Sequence, residues 1–147
     1  MSVKVQDAAF DPAAELAGFA AGRTDIGAVV TFSGLVRDDS GGRLHEMVIE
    51  HYPGMTERAI TAIGQEAAQR WNLGAWLVIH RHGSMAPGEV IMMVATAARH
   101  RADAFAAAEF LMDYLKSRAP FWKKEITRDG ADWVAARAQD EAALKRW

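Results

Sequence analysis

The segment 115–125 carries the densest group of side chains that could do chemistry. Lys116 stands near the end of a predicted helix, Pro120 forces the chain to turn back, and Lys123 follows on an extended stretch. Lysines at the carboxyl end of a helix commonly lie in solvent, where they complement the helix dipole. The reversal at Pro120 also allows both lysines to return to one pocket beside Phe121. Two ammonium groups held close lower each other's pKa, which makes one amine a usable base or nucleophile near neutral pH.

Two further groups of cations are candidates for binding an anion. Arg99, His100 and Arg101 begin a predicted helix, whose first N–H groups and positive dipole end favour a negative charge. A solvated arginine pair beside a packed histidine fits the same residues, and the sequence leaves both interpretations open. Arg37 ends a predicted strand beside the glycine-rich stretch 38–42, and it is a third candidate for binding phosphate.

The histidines outside the group at 99–101 are expected to be structural. His80 and His82 lie two residues apart on a predicted strand, so both imidazoles would face the same side and form a candidate metal pair. No cysteine or carboxylate at a diagnostic spacing accompanies them, and we therefore expect no metal site. His51 and Tyr52 precede a Pro-Gly turn, which they are expected to anchor.

The composition excludes several classes of function. The chain has 147 residues, a net charge of −2 and no cysteine, and it is expected to form one domain over 1–147. The absence of thiols excludes disulfides, thiolate metal sites and thiol nucleophiles, so any sulfur that the protein handles must arrive on another molecule. The charge does not favour nucleic-acid binding. No apolar run is long enough for a membrane span or a signal peptide, and we expect a soluble, cytoplasmic protein.

Hydrophobic spacing predicts an α+β fold in which a mostly antiparallel sheet is covered by helices. Strands at 27–36 and 44–52 are predicted to form a hairpin around a mobile, glycine-rich loop. A long helix at 100–118 is predicted to bury the stripe Phe105, Ala108, Met112 and Leu115. The other predicted elements are strands at 3–5, 76–82, 89–97, 121–127 and 133–135 and helices at 11–23, 56–71 and 139–146.

Six sequence blocks, read in order, resemble the MoaE family of large, catalytic subunits of molybdopterin synthase. They are VVTFSGLVR (29–37), EHYPGMTE (50–57), IHRHG (79–83), PGE (87–89), HRADAF (100–105) and FLMDYLKSRAPFWKKE (110–125). The blocks run through most of the chain, and the combination of HYPGMTE with MDYLKSRAPFWKKE is highly specific. The resemblance implies an α/β-hammerhead-like fold with an additional small antiparallel sheet.

The resemblance also implies a sulfurtransferase of molybdenum cofactor biosynthesis that needs no cofactor of its own. Large subunits of this family form a homodimer, and each binds a small ubiquitin-like subunit, which gives a heterotetramer. The partner's C-terminal Gly-Gly carries a thiocarboxylate and enters the large subunit's pocket. Two such groups supply the sulfurs that convert cyclic pyranopterin monophosphate into the dithiolene of molybdopterin.

Family roles can be carried onto matching positions of this chain. Lys116 and Lys123 match the catalytic lysines. The substrate-phosphate pocket is matched by Arg37, His100 and Arg101, and its apolar wall by Phe32 and Met112.

The positions of two of these residues on one helix predict a site shared between protomers. Arg101 and Lys116 stand at opposite ends of the predicted helix, roughly 22 Å apart, whereas a pterin phosphate is about half that length. We therefore predict that His100 and Arg101 of one protomer complete the site that contains Arg37, Lys116 and Lys123 of the other.

Two other functions remain open from the sequence. The chain could be a non-catalytic scaffold for a ubiquitin-like protein, although an intact lysine pair argues against a decayed site. It could also be an unrelated phosphate-binding enzyme that uses a metal held by His80 and His82. Insensitivity to chelators would exclude the metal-dependent version.

Overall fold

The computed structural model describes residues 2–39, 41–134 and 138–147, which form two four-stranded sheets and four helices. The strands are β1 (Ser2–Gln6), β2 (Ala28–Leu35), β3 (Leu44–His51), β4 (Ala75–Arg81), β5 (Gly83–Met85), β6 (Val90–Ala98), β7 (Phe121–Thr127) and β8 (Gly130–Trp133). The helices are α1 (Pro12–Phe19), α2 (Met55–Arg70), α3 (Arg101–Ser117) and α4 (Ala138–Ala143), and a 3-10 turn, Leu144–Arg146, follows α4. No helix within these ranges has both the length and the apolar character needed to cross a membrane.

The two sheets have different strand orders. The first sheet has the order β1-β4-β6-β2, and the second has the order β5-β3-β7-β8. β1 runs parallel to β4, and every other strand pair in the described ranges is antiparallel. The predicted α+β class with mostly antiparallel sheets is confirmed.

The central strands of the first sheet, β4 and β6, are buried on both faces. Val78 and Val94 belong to the main core, which α2 and α3 cover, whereas Leu77 and Met93 face the other side of the sheet and pack near Phe19 of α1. A strand covered on both sides has no polar face and therefore reads as a continuous apolar run. This explains why the segments AWLVIHR and VIMMVATAA show little alternation.

The predicted hairpin between 27–36 and 44–52 is wrong. β2 pairs with β6 in the first sheet, and β3 pairs with β5 and β7 in the second. Beyond β2, the N–H of Val36 donates to the carbonyl of Glu89 at 2.9 Å, so the chain continues beside the residues that precede β6. The Asp39 carboxylate then accepts backbone N–H groups across the turn, and the chain passes into the second sheet. Ser40 of this loop lies outside the described residues.

Several other boundaries differ from the prediction. α1 ends at Phe19 rather than near residue 23, and the three-residue strand β5 has no counterpart among the predicted elements. β8 ends at Trp133, and residue 135 of the predicted last strand lies outside the described residues. The predicted final helix divides into α4 and the 3-10 turn. Phe105 was assigned to the buried stripe of α3, but 63% of its surface is exposed.

The contact between α2 and β4 gives a prediction about stability. Gly64 of α2 faces the ring of Trp76, and a Cβ atom at Gly64 would overlap that ring. Gly64→Ala is therefore expected to lower the free energy of unfolding by about 1–3 kcal/mol, although alanine favours a helix. The matched control is Gly18→Ala on α1, where nothing lies within 4 Å and a gain of about 0.5–1 kcal/mol is expected. Urea denaturation measures both, and a Gly64→Ala variant as stable as the parent would contradict the prediction.

Candidate active site

A cavity of about 200 Å³ lies where the end of α3 meets β7 and the strands of the first sheet. Its polar lining comes from both sheets and from two helices, and consists of His80, Lys116, Lys123 and Asp140. The apolar part of the lining includes Phe32, Leu35, Ile91, Met92, Met112, Leu115 and Phe121. The cavity thus combines basic groups with a large apolar wall.

A reversal of the chain brings Lys116 and Lys123 to the same cavity. Lys116 lies in the last turn of α3, which ends where the N–H of Arg118 donates to the carbonyl of Tyr114 at 2.7 Å. Pro120 follows, and β7 begins at the next residue. Lys123 lies on β7, half-buried and opposite Ile49 of β3, whereas Lys116 approaches from the exposed side.

Burial and a neighbouring charge act on Lys123. Burial first, and then the positive charge of Lys116, lower the pKa of Lys123 to about 8, whereas the carboxylate of Asp140 acts in the opposite direction. With a pKa of about 8, roughly a quarter of the Lys123 amines would be unprotonated at a pH of about 7.5. Lys123 can therefore act as a base or nucleophile as well as a cation.

Phe32 and Met112 lie on different elements of the apolar wall. Phe32 projects from β2 and Met112 from α3, and both line the cavity. Leu35 extends this wall towards the solvent, and 54% of the surface of Leu35 is exposed. Aromatic and thioether groups of this kind suit the face of a flat ring.

The three predicted phosphate ligands do not lie together in one chain. Arg37 is exposed and lies two residues beyond Leu35, which lines the cavity, but Arg37 is not itself a lining residue. His100 and Arg101 are exposed at the other end of α3, roughly 22 Å from Lys116 along the helix axis. The structure therefore separates His100 and Arg101 from the lysines, and Arg37 does not line the cavity that holds the lysines.

The two histidines of the proposed metal pair have different surroundings. β4 ends at Arg81, so His82 lies beyond the strand, and its ring contacts that of His51 with centroids 4.4 Å apart. The ring of His80 stacks on Phe121 instead, at 3.7 Å. Over residues 2–39, 41–134 and 138–147, no group of three or more His, Cys, Asp or Glu side chains is arranged to hold a metal ion.

Comparison with known proteins gives a family for this fold and cavity. Residues 5–118 match the family model described as MoaE protein. A molybdopterin synthase catalytic subunit from Cereibacter sphaeroides is 69% identical over 147 residues, covering 100% of both chains. The chain belongs to the MoaE family. The MoaE model ends before Lys123, but the alignment with the Cereibacter protein covers both lysines.

Solved structures share the fold. The MoaE protein from Burkholderia ambifaria is 50% identical to this chain, with a TM-score of 0.85. The alignment covers 99% of this chain and 97% of the Burkholderia chain. A complex of subunits 1 and 2 of molybdopterin-converting factor from Helicobacter pylori contains a chain that is 18% identical. The alignment covers 92% of this chain and 91% of the Helicobacter chain, with a TM-score of 0.78. At 18% identity, the likeness shows only that the two chains share a fold.

Two polar residues of the MoaE cavity were not assigned to it from the sequence. His80 was considered as a metal ligand, although its position two residues after the core residue Val78 indicates that it faces the same interior side. Asp140 comes from α4, which an ion pair at 3.1 Å between Arg118 and Glu141 fastens to the end of α3. Tertiary contacts of this kind, together with the pairing of Arg146 with Asp113 of α3, bring Asp140 to the cavity, and local sequence contains no signal for them.

The lowered pKa of Lys123 has a consequence for stability. Because the folded chain holds this proton less tightly than the unfolded chain, folding carries a cost below pH 8 that is relieved as the pH rises from about 8 to about 10.5. Lys123→Met is therefore expected to raise the free energy of unfolding by about 1–3 kcal/mol at neutral pH, with a smaller gain near pH 10. Urea denaturation at both pH values measures it.

The control for this prediction is Lys145→Met in the exposed 3-10 turn, which is expected to show no such dependence on pH. Equal stability of Lys123→Met and the parent protein at neutral pH would contradict the prediction.

Proposed function

We propose that this chain is the catalytic subunit of a molybdopterin synthase. It transfers two sulfurs from the C-terminal thiocarboxylate of a small ubiquitin-like subunit to cyclic pyranopterin monophosphate and so forms the dithiolene of molybdopterin. The observation that carries the proposal is the meeting of Lys116 and Lys123 in one cavity, in a chain whose relatives are molybdopterin synthase catalytic subunits.

The composition of the cavity supports sulfur transfer from a partner. The chain has no cysteine and therefore cannot carry a persulfide, so the sulfur must arrive on another molecule. A thiocarboxylate that gives up its sulfur leaves a carboxylate, and the substrate carries a phosphate. The positive charge of the lysines stabilises both anions, and the neutral fraction of Lys123 can accept a proton or hold an acyl group.

Two adjoining pockets give the lysines access from two directions. Beside the first cavity, a second pocket also contains Lys116 and Lys123 and is walled by Trp122 and Trp133. Both tryptophans are about half exposed, as residues of a binding surface commonly are. We assign the Phe32 side to the pterin and the tryptophan side to the partner's glycine tail.

The separation of the two basic groups supports a homodimer with shared sites. β2 lies at the edge of the first sheet and exposes Val29, Phe32 and Leu35, and Phe105 is exposed on the adjacent α3. An edge strand with exposed apolar side chains is a natural surface for a second copy. In the proposed dimer, His100 and Arg101 of one protomer reach the cavity of the other, and the two partner subunits complete a heterotetramer. We expect this assembly in the cytoplasm.

The decisive experiment supplies the chain with its proposed substrates. Purified protein is incubated with the thiocarboxylated partner and cyclic pyranopterin monophosphate, and the dithiolene product is followed by mass spectrometry. Product is expected with the thiocarboxylated partner, and none with the carboxylate form of the same partner. Binding of the partner without any product would favour the non-catalytic scaffold. Product that disappears on addition of a chelator would favour a metal-dependent enzyme.

A further inference from the structure

The ion pair between Arg81 and Glu89 contains a buried charge that the proposed chemistry has not used. Arg81 ends β4, and 8% of its side chain is exposed, against 41% for Glu89. The guanidinium donates to the Glu89 carboxylate at 3.1 Å, to the Asp7 carbonyl at 2.9 and 3.1 Å, and to the Val90 carbonyl at 3.5 Å. Apolar residues of the same size commonly stabilise an interior as well as a buried ion pair does. So many directed bonds at one side chain therefore indicate that it fixes a geometry.

Glu89 connects this guanidinium to the end of β2. Its second carboxylate oxygen accepts the N–H of Ala86 at 2.6 Å, which closes the turn before β6. The N–H of Ala86, and then the Arg81 guanidinium, hold the pKa of Glu89 below its usual range, so the carboxylate is charged at neutral pH. The turn in its turn holds Val36. The N–H of Gly88 donates to the Val36 carbonyl at 2.7 Å, and the N–H of Val36 donates to the Glu89 carbonyl at 2.9 Å.

The strand end that is held in this way contains a β-bulge, which shapes the wall of the cavity. Gly34 lies opposite Met92, whereas Leu35 lies opposite Val90. The residue between these two partners, Ile91, is therefore left without an opposite residue. Regular alternation would place only one of the neighbours Gly34 and Leu35 on the cavity side, yet both line the cavity, as does Ile91. Bulges commonly redirect side chains beside active sites, and this one adds Leu35 to the wall that we assign to the pterin.

The same strand end carries Arg37, one residue beyond Val36. Val36 is 2% exposed and belongs to the core, so its neighbours Leu35 and Arg37 turn to the opposite side of the strand. A shift of Val36 would therefore move both neighbours at once. Lys116 and Lys123 belong to α3 and β7, which take no part in this network within the part of the chain that the structure describes.

We propose that Arg81 and Glu89 are positioning residues for the pterin side of the cavity. Their ion pair holds the turn before β6, and this turn sets the bulge at Leu35 and the direction of Arg37. The inference rests on the proposed function, because the pterin and its phosphate are the ligands that the apolar wall and Arg37 would meet. The ion pair then determines how tightly the pterin binds and leaves the chemistry of the lysines unchanged.

The test removes the ion pair without leaving a buried charge. The variant Arg81→Met with Glu89→Gln replaces both charges together, because loss of one partner alone would leave the other unpaired. It is expected to keep a urea midpoint close to that of the parent protein. KM for cyclic pyranopterin monophosphate is expected to rise about tenfold, with kcat and the affinity for the partner nearly unchanged. The matched control is Lys4→Met with Glu15→Gln, which removes an exposed ion pair outside the cavity and is expected to leave KM unchanged.

Amide hydrogen exchange measures the positioning directly and needs neither partner nor pterin. In the free protein, the N–H groups of Val36 and Gly88 are expected to exchange faster in the double variant by about tenfold or more, because the turn opens more often. Unchanged exchange at both residues would overturn the proposal, and so would faster exchange with an unchanged KM for the pterin. A parent protein without synthase activity would sink the proposed function alone. The exchange rates would still decide whether the ion pair holds the strand end.

A second variant keeps the test valid if the double variant does not fold. Gly88 has a φ of +91°, and nothing lies within 4 Å of a Cβ atom placed there. Gly88→Ala therefore strains the turn without touching the ion pair. Faster exchange at Val36 and a smaller rise in KM for the pterin are expected. The control is Gly22→Ala, which has a φ of +74°, equal space and a place outside this network. Equal values in the two alanine variants would refute the proposal.

Discussion

Lys116→Ala is expected to lower the rate of dithiolene formation by about 100- to 1,000-fold while leaving the complex with the small partner intact. Lys116 lines both pockets that reach the lysine pair, and its charge stands where the sulfur donor would leave a carboxylate. Removal of a charge that is used mainly in the transition state lowers kcat and leaves binding largely unchanged. Single-turnover assays measure the rate, and calorimetry measures partner binding.

The control is Lys4→Ala, at a lysine that pairs with Glu15 on the exposed surface at 3.2 Å and does not line the cavity. Exposed ion pairs of this kind contribute little to stability, so this variant is expected to behave as the parent protein. Undiminished synthase activity of Lys116→Ala would refute its catalytic role. Loss of partner binding in that variant would instead assign Lys116 to docking.

Two inactive variants are expected to restore activity when they form a mixed dimer. In the proposed assembly, Arg101→Ala damages the site of the neighbouring protomer, whereas Lys116→Ala damages the site of its own protomer. A dimer of one chain of each kind then contains one intact site and one doubly damaged site. Its activity is expected to be about half that of the parent dimer, and each parental variant is expected to be nearly inactive. Two different affinity tags allow the mixed dimer to be purified and assayed.

The matched control combines Lys116→Ala with Lys123→Ala. Both lysines come from the same protomer, so a mixed dimer of these variants has no intact site and should remain inactive. Recovery in the Arg101 pair alone supports a shared site. Recovery in neither pair would show that Arg101 does not act across the dimer, and recovery in both would show that Lys116 and Lys123 also act from different protomers.

The sequence predicted the positions of the strands and helices better than it predicted which strands pair with each other. Strand and helix positions follow from local spacing, as the agreement of β3 and α2 with their predicted ranges illustrates. Pairing depends on contacts between distant residues, and local spacing carries no information about it. The segments now known as β2 and β3 read as a hairpin because they flank a glycine-rich turn. Each finds its hydrogen-bonding partners elsewhere, in different sheets.

The part of the candidate site that was predicted is the part whose geometry follows from a short segment of the sequence. Pro120 ends the helix and returns the chain, so the common location of Lys116 and Lys123 could be argued from a short segment. His80 and Asp140 reach the cavity only through the packing of β4 against β7 and of α4 against α3. The spacing from Val78 indicates that His80 faces the interior, but nothing within a few residues of Asp140 marks it as part of a site.

The parallel pairing of β1 with β4 also bears on how the chain folds. Ser2 lies opposite Leu77, so β1 is synthesised long before the strand that it joins. Contacts between residues so distant in sequence form slowly, because a long loop must close before they form. Until then the apolar side chains of Val3 and Val5 have no partner, which exposes the nascent chain to aggregation. Changes near the amino terminus are therefore expected to lower the yield of folded protein more than the turnover of molecules that have folded.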